Sequence, residues 1–344
     1  MPADFDTKAA LREKIAAFLP DVVFDAHAHV YSAAFMRSYV DKPEHTFGRP
    51  RVGVAEYLAG MASALGKTKV AGGLIIPAPD PLMPDVSNGL RDMANAFLIS
   101  ELEKAPGFCG EVFVLPGDTE ADIEAMLVHD RIKGLKCYYY ASPHGNQGPA
   151  GEFLPESAWQ AAQRRELAIT LHLACNGAMS DPRNLEYLET MEKKYPKAKL
   201  ILAHAGRAFA EWTSLEPVKR LRGFDNVYYD LSAICETAPM MACIKAAGLD
   251  HVMWGSDYPC CDFVGRPVSL ADQFVWFDAA AARACGHRGE VFTVLEENLI
   301  AAYVAADLLD LTPSDVRKLF HDNAIRAFGP DPIAAATNCR SFAP

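Results

Sequence analysis

Between residues 22 and 257 short apolar runs alternate with stretches of helical periodicity. Val22-Val-Phe-Asp-Ala-His-Ala-His-Val30 reads as a strand, preceded by a helical pattern over about 8–18. A helix is expected over Val54–Leu65, then a strand over Lys69–Pro77; a helix over Gly89–Lys104, then a strand over Glu111–Leu115. The alternation continues with a short helix at Ala121–His129 and a strand at Ile132–Tyr140. Next come a helix at Glu156–Glu166, a strand at Ala168–Ala174, a helix at Pro182–Tyr195 and a strand at Lys199–Ala205. Pro217–Arg222 is expected to be helical, Asn226–Leu231 a strand, Pro239–Ala247 a helix, and His251–Asp257 the last strand. Strands apolar along their whole length are those of a parallel sheet buried on both faces. Eight such units within about 240 residues predict an α/β fold of the (β/α)8 TIM barrel type rather than an open doubly wound sheet. No Gly-x-Gly-x-x-Gly follows a strand and no phosphate-binding Walker loop is present, which weakens the nucleotide-binding alternative.

No stretch is rich enough in Pro, Gly or Ser to divide the chain, so residues 1–344 are expected to form one barrel domain. The barrel would cover about 21–260, with an added N-terminal helix (about 8–18) and C-terminal helices over about 268–330. The connection Tyr31–Val52 is long, and long loops in compact domains tend to serve function or to be disordered. Half the residues are hydrophobic, ample for a large core. A net charge of −11 argues against nucleic acid and an anionic membrane as the main partner, though arginines in a pocket could still hold an anionic small molecule. No run reaches membrane-span length, and the first twenty residues lack the apolar core of an export signal. Nine cysteines without repeated spacing read as reduced thiols in a cytoplasmic protein.

Candidate chemistry collects at strand ends. Side chains alternate along a strand, so His27 and His29 point the same way, about 6–7 Å apart by the rise per residue, and can share a metal ion. An isolated His-x-His is equally well a pair of hydrogen-bonded histidines at the end of a strand. The fifth strand carries His172, the sixth His204, and the eighth ends at Asp257. Barrel active sites lie at the C-terminal ends of the strands, where all five residues fall. Imidazoles with a carboxylate suit one divalent transition ion, Zn2+ by default and Mn2+ as the alternative.

The pieces Asp25-Ala-His-Ala-His29, Gly134-Leu-Lys136, Leu171-His172, Leu202-Ala-His-Ala-Gly-Arg207, Trp254-Gly-Ser-Asp-Tyr-Pro259 and Asp322-Asn-Ala-Ile-Arg-Ala-Phe-Gly329 span nearly the whole chain in order. In them the sequence resembles the amidohydrolase superfamily. The nearest likeness is the branch containing aminocarboxymuconate semialdehyde decarboxylase and related lactonases and amide hydrolases. That resemblance implies one catalytic metal held by His27, His29, His172 and Asp257, with His204 beside it to orient or deprotonate water. A metal-bound water is acidic near neutrality, and a neighbouring imidazole or carboxylate can take its proton, so Asp257 could act both as ligand and as proton carrier. The alternative for His204 is a hydrogen-bonding role without proton transfer.

Lys136 shares a strand face with Tyr138. In binuclear members of the superfamily a carboxylated lysine on that strand bridges two metals, but Gly-Leu-Lys is a mark of the mononuclear branch. An ion pair inside the barrel and a contact to a substrate carboxylate are the two readings left for it. Arg207, Arg266, Arg49 and Arg51 lie in loops at the same end; a guanidinium grips a carboxylate through two parallel bonds, and Arg207 is the best placed. Tyr138, Tyr139, Tyr140, Phe209, Trp212 and Tyr258 could wall a ring-shaped ligand, or simply be core. Cys260 and Cys261 read as loop thiols near the pocket mouth; His45, His144 and His321 fall outside the ligand pattern.

Three functions follow from these residues. The leading expectation is hydrolysis of an amide, lactone or ester bond in a small cyclic, carboxylated substrate. The second is nonoxidative decarboxylation of an aromatic or unsaturated acid on the same site, and His-Ala-Gly-Arg leans toward the first. The third, a non-catalytic small-molecule-binding barrel, fits poorly with an intact ligand set. Nothing in the sequence speaks against a homo-oligomer.

Overall fold

The computed structural model describes residues 7–39 and 49–329. Residues 40–48 of the long first loop, His45 among them, and the chain beyond Gly329 therefore lie outside the described residues. Eight parallel strands follow one another in both sequence and space: β1 (Val22–Ser32), β2 (Lys69–Pro77), β3 (Phe108–Phe113), β4 (Ile132–Tyr138), β5 (Ala168–His172), β6 (Lys199–Leu202), β7 (Val227–Asp230) and β8 (Val252–Met253). A two-residue strand, Arg51–Val52, pairs antiparallel with the end of β1. The intervening helices are α2 (Val54–Leu65), α3 (Leu90–Lys104), α4 (Glu120–Met126), α5 (Glu156–Arg165), α6 (Pro182–Lys194), α7 (Glu211–Leu221) and α8 (Thr237–Ala247), with α1 (Thr7–Phe18) ahead of β1.

Backbone bonds beyond the short β8 close the sheet. Ala26 N donates to Trp254 O (3.1 Å), Asp257 N to His27 O (2.8 Å) and His29 N to Tyr258 O (2.6 Å). The segment 254–258 thus runs parallel to β1, with Ala28 bridged to Tyr258. This is the mixed α/β barrel that the alternation predicts. β1 is buried from Val23 to Tyr31, as a strand covered on both faces must be. An inner cluster including Phe24, Leu74, Ile201 and Met253 packs against Ala324, Ala327 and Phe328 of the last helix. Among the described residues no helix is long and apolar enough to cross a membrane.

Three expectations need correction. β3 begins at Phe108 rather than Glu111, because Phe108-Cys-Gly continues the buried run into the strand. α7 starts at Glu211 and keeps Pro217 inside it; burial of Thr213, Ser214, Pro217, Val218 and Leu221 on one face outweighs the proline's poor helix propensity. The helical stretch expected from about 268 begins instead with a hairpin, β9 (Gly265–Leu270) paired antiparallel with β10 (Gln273–Asp278). Its two-residue turn puts Ala271 at φ +54°, a conformation usually signalled by Gly or Asn, so the usual hairpin mark is missing from the sequence. Helices follow only from Ala279, notably α9 (Ala279–Ala284) and α10 (Val294–Leu308).

Candidate metal centre and its cavity

The parallel register of β1 against β2 shifts between Asp25 and Ala28. Across that irregularity Asp25 and His27 find different partners. One Asp25 oxygen accepts from the backbone N–H of His27 (3.0 Å) and of Ser256 (2.8 Å), the other from Tyr57 OH of α2 (2.9 Å). Full burial pushes its carboxyl up to about 6 despite those bonds. Asp25 is therefore a clamp joining β1 to the segment after β8, with both oxygens occupied.

His27 lies against the end of β7, its Nδ1 2.6 Å from Asp230 Oδ2, and both side chains are buried. Burial and the charge of Lys136 hold the imidazole down at about 4. Burial alone would raise the Asp230 carboxyl, but His27 brings it below the ordinary range. A neutral ring that donates Nδ1–H to a carboxylate has a bare Nε2. That Nε2 is 3.2 Å from His29 Nε2 and 3.8 Å from Asp257 Oδ1, and His29 Nε2 is 3.3 Å from the same oxygen. Donors bound at about 2.0–2.2 Å to one tetrahedral ion lie about 3.3–3.6 Å apart, so these atoms are spaced to share a divalent cation. Asp257 supplies the negative charge: burial opposes ionisation, yet His29, His204 and His27 hold its carboxyl at about 2.

His204 and His172 complete the group. The His204 ring stacks on His27 with centroids 5.2 Å apart and meets His172 edge to face at 4.8 Å. Donor atoms of His27, His204 and Asp257 lie within 4.8 Å of one another. His172 stacks on Tyr138 at 4.7 Å, and burial holds its imidazole well below the usual value. The ring nitrogens His29 Nδ1 and His172 Nδ1 are buried without a hydrogen-bond partner. The five strand-end residues thus converge, and the arrangement also admits His204 as a donor.

A cavity of about 380 Å3 opens over this group. His29, His172, His204 and Asp257 line it, together with Tyr138, Tyr139, Tyr140, Phe209 and the hairpin residues Phe274 and Trp276. Arg207 also lines it: Nη1 donates to Ala174 O (2.8 Å) and the guanidinium carbon sits 5.0 Å from the Phe274 ring centre. No carboxylate pairs with Arg207 among the described residues, in contrast to Arg49, which pairs with Asp262, and Arg51, which pairs with Glu56 and Glu101. Cys260 reaches the cavity wall as expected of a loop thiol there.

Other predicted residues lie elsewhere. Tyr258 OH meets Arg49 (2.9 Å) and the carbonyl of Glu56 (3.1 Å), away from the cavity, and Arg266 pairs with Glu297 (3.1 Å). Trp212 is exposed. His144 pairs with Glu152 and His321 with Asp322. Lys136 is fully buried, with Nζ 5.1 Å from the Tyr138 ring centre and no hydrogen-bond partner. Among the described residues it makes no contact ion pair, so the ion pair expected for it inside the barrel is not formed. Burial lowers its ammonium, partly countered by the charges of Glu111, Asp230 and Asp257. Glu111, bonded to Thr170 Oγ1 (2.8 Å), is pushed up to about 8 by the same burial. Sequence reasoning missed Asp230; its only signal was an acidic residue ending an apolar strand.

Residues 24–329 match the family model described as Amidohydrolase. No curated protein sequence matches the chain. Among solved structures the fold is similar to a 5-carboxyvanillate decarboxylase from Sphingomonas paucimobilis, at 17% identity and TM-score 0.57, covering 90% of this chain and 99% of that one. It is similar to an amidohydrolase from Burkholderia multivorans with bound zinc, at 16% identity, TM-score 0.57 and the same coverages. A 5-carboxyvanillate decarboxylase from Novosphingobium aromaticivorans, in complex with manganese and 4-hydroxy-3-methoxy-5-nitrobenzoic acid, gives 15% identity and TM-score 0.55 over 90% of this chain and 97% or 96% of that one in its two forms. With the family model covering nearly all of the barrel, the chain belongs to the amidohydrolase family.

Proposed function

We propose that the protein is a metal-dependent hydrolase that opens an amide, lactone or ester bond in a small, carboxylated ring compound. One observation carries this reading. A single cavity holds both a cluster of imidazoles with a carboxylate and Arg207, a guanidinium without an acidic partner among the described residues. His27, His29, His172 and Asp257 would hold one divalent ion, Zn2+ by default and Mn2+ as the alternative. When bound, such an ion polarises a carbonyl and acidifies water.

The remaining groups have separate tasks. His204 Nδ1 lies 3.0 Å from the carbonyl of Ser232, which can only accept, and 2.9 Å from its hydroxyl; with the hydrogen on Nδ1 the carbonyl is satisfied and Nε2 is free to take a proton from water. It can return that proton to the leaving group. The guanidinium N–H groups of Arg207 that Ala174 leaves free can grip the substrate carboxylate. Tyr138, Tyr139 and Tyr140 wall a space that suits a ring. Lys136, which does not line the cavity, would act on a bound anion only through its charge.

Decarboxylation of an aromatic acid is the second reading, favoured by the decarboxylases among the similar folds, two for 5-carboxyvanillate and one for 2,6-dihydroxybenzoate. It needs a group that gives a proton to carbon. A His204 Nε2 left bare is placed to take a proton rather than to give one, which supports hydrolysis. The test is to incubate Zn2+- or Mn2+-loaded protein with panels of lactones, amides, esters and aromatic acids. Ring opening or amine release without CO2 is expected. Release of CO2 would replace hydrolysis by decarboxylation, and inertness of the fully loaded protein toward every panel would favour a binding barrel. The eight described cysteines are all free.

A further inference from the structure

We infer that Asp230 is a positioning residue that orients two imidazoles of the site at once, His27 directly and His204 through the backbone of Ser232. This rests on the reading that His27 holds the metal and His204 handles the proton. β7 ends at Asp230, fully buried, and its two oxygens serve different donors. Oδ2 lies 2.6 Å from His27 Nδ1, and Oδ1 accepts the Ser232 N–H at 2.7 Å. The carbonyl of that same Ser232 stands 3.0 Å from His204 Nδ1, with the hydroxyl at 2.9 Å. The chain is thereby folded back two residues after the strand, and the next residue, Ala233, takes φ +59°. A non-glycine residue pays about 1–2 kcal/mol for that conformation, so the turn must be held by its surroundings. The Asp230 carboxylate holds it from one side, at Ser232 N–H, and Asn298 Nδ2 holds it from the other by donating to Leu231 O (2.9 Å) and Ile234 O (2.8 Å).

Both ends of this arrangement favour the same tautomer. A carboxylate and a carbonyl can only accept, so they are satisfied when His27 and His204 each place a hydrogen on Nδ1 and present Nε2 to the other donors, with the Ser232 hydroxyl accepting at His204 as well. The two rings lie nearly parallel, 25° apart. Aspartate suits this position because both of its oxygens accept. An asparagine of the same shape can accept from only one of the two donors and must turn its own NH2 toward the other. Asp230→Asn therefore breaks either the direct contact or the relayed one while keeping the volume.

The test combines two measurements on the full chain: Zn2+ affinity by chelator competition, and imidazole tautomers by 15N NMR of the metal-free protein. In wild type both His27 and His204 should show the Nδ1–H tautomer near neutral pH. Asp230→Asn should weaken Zn2+ binding about 10–100-fold, the usual cost of losing a partner behind a ligand, with an unchanged circular dichroism spectrum. One of the two rings should leave the Nδ1–H form. Ser232→Ala should preserve both tautomers and wild-type affinity, since the relay uses backbone groups. Wild-type Zn2+ affinity with both tautomers intact in Asp230→Asn would overturn the inference. So would an Nε2–H tautomer of either ring in the wild type, which decides the matter even if the variant does not fold. If His27→Ala keeps full Zn2+ affinity, the metal reading fails instead, and the tautomer measurement alone still judges Asp230.

Discussion

Arg207 shows what one residue can decide in this site. Its Nη1 is spent on Ala174 O and its plane is supported by Phe274, leaving a cation that lines the cavity without an acid beside it. Arg207→Leu should raise KM for the carboxylated substrate found in the panel by about 10–100-fold, the loss of one charge-assisted pair of about 1.5–3 kcal/mol, with kcat changed much less. Lysine should restore little, because it lacks the planar fork. An unchanged KM would remove Arg207 from substrate binding. The pairing of His27 with His29 was legible because strand alternation puts them on one side. The directions of Tyr258 and Arg266 were not: Tyr258 turns to Arg49 and Glu56, and Arg266 to Glu297, contacts between residues far apart in sequence. Asp230 was hidden for the same reason, since its partners lie on β1 and past its own strand.

Among the elements, the turn after β6 has the longest run of left-handed residues. His204, Ala205, Gly206 and Arg207 all have φ between +53° and +67°, a short left-handed turn. Residues three apart share a face in such a turn, and both His204 and Arg207 line the cavity. The sequence predicted a strand running to Ala205; periodicity carries no sign of a left-handed turn built mostly from non-glycine residues. A Cβ on Gly206 would come within 2.8 Å of Met179 Sδ and 2.9 Å of Met179 Cβ. Gly206→Ala should therefore lower stability by about 1–3 kcal/mol, read by chemical denaturation. Ala205→Gly, which relieves the strain, should be neutral or stabilising by up to about 1 kcal/mol. Equal stability of Gly206→Ala and wild type would mean the turn is not packed as described. The order and number of the barrel strands were readable, because buried parallel strands leave continuous apolar runs, but their ends were not: the last spans only Val252–Met253 where His251–Asp257 was expected. The β9–β10 hairpin was not, because Ala271-Asp272 lacks the Asn-Gly type of signal.

For the molecule as a whole, stability and metal occupancy are the quantities to measure. Glu192 is buried in α6, with Oε1 lacking a partner, and burial pushes its carboxyl up to about 8. The unfolded chain loses that proton near the ordinary carboxylate value, so the folded state binds more protons between roughly pH 4.5 and 8. Stability from this group must fall as pH rises through that window. Glu192→Gln should thus gain stability over wild type, a gain growing from pH 5 to pH 8 and reaching about 2–4 kcal/mol by thermal or urea unfolding. A difference that does not change with pH would contradict the buried protonated state. Thiol titration of denatured, unreduced protein should find most of the nine cysteines free, and several disulfides would argue against a cytoplasmic location. The central claim, that His27, His29, His172 and Asp257 hold the ion while His204 moves the proton, is tested most directly by elemental analysis of His172→Ala and His204→Ala beside wild type. All three would be purified without chelator and checked for folding. Wild type should carry about one transition ion per chain, His204→Ala nearly as much, and His172→Ala far less. An emptied His204→Ala with a retained ion in His172→Ala would instead make His27, His204 and Asp257 the metal-binding set.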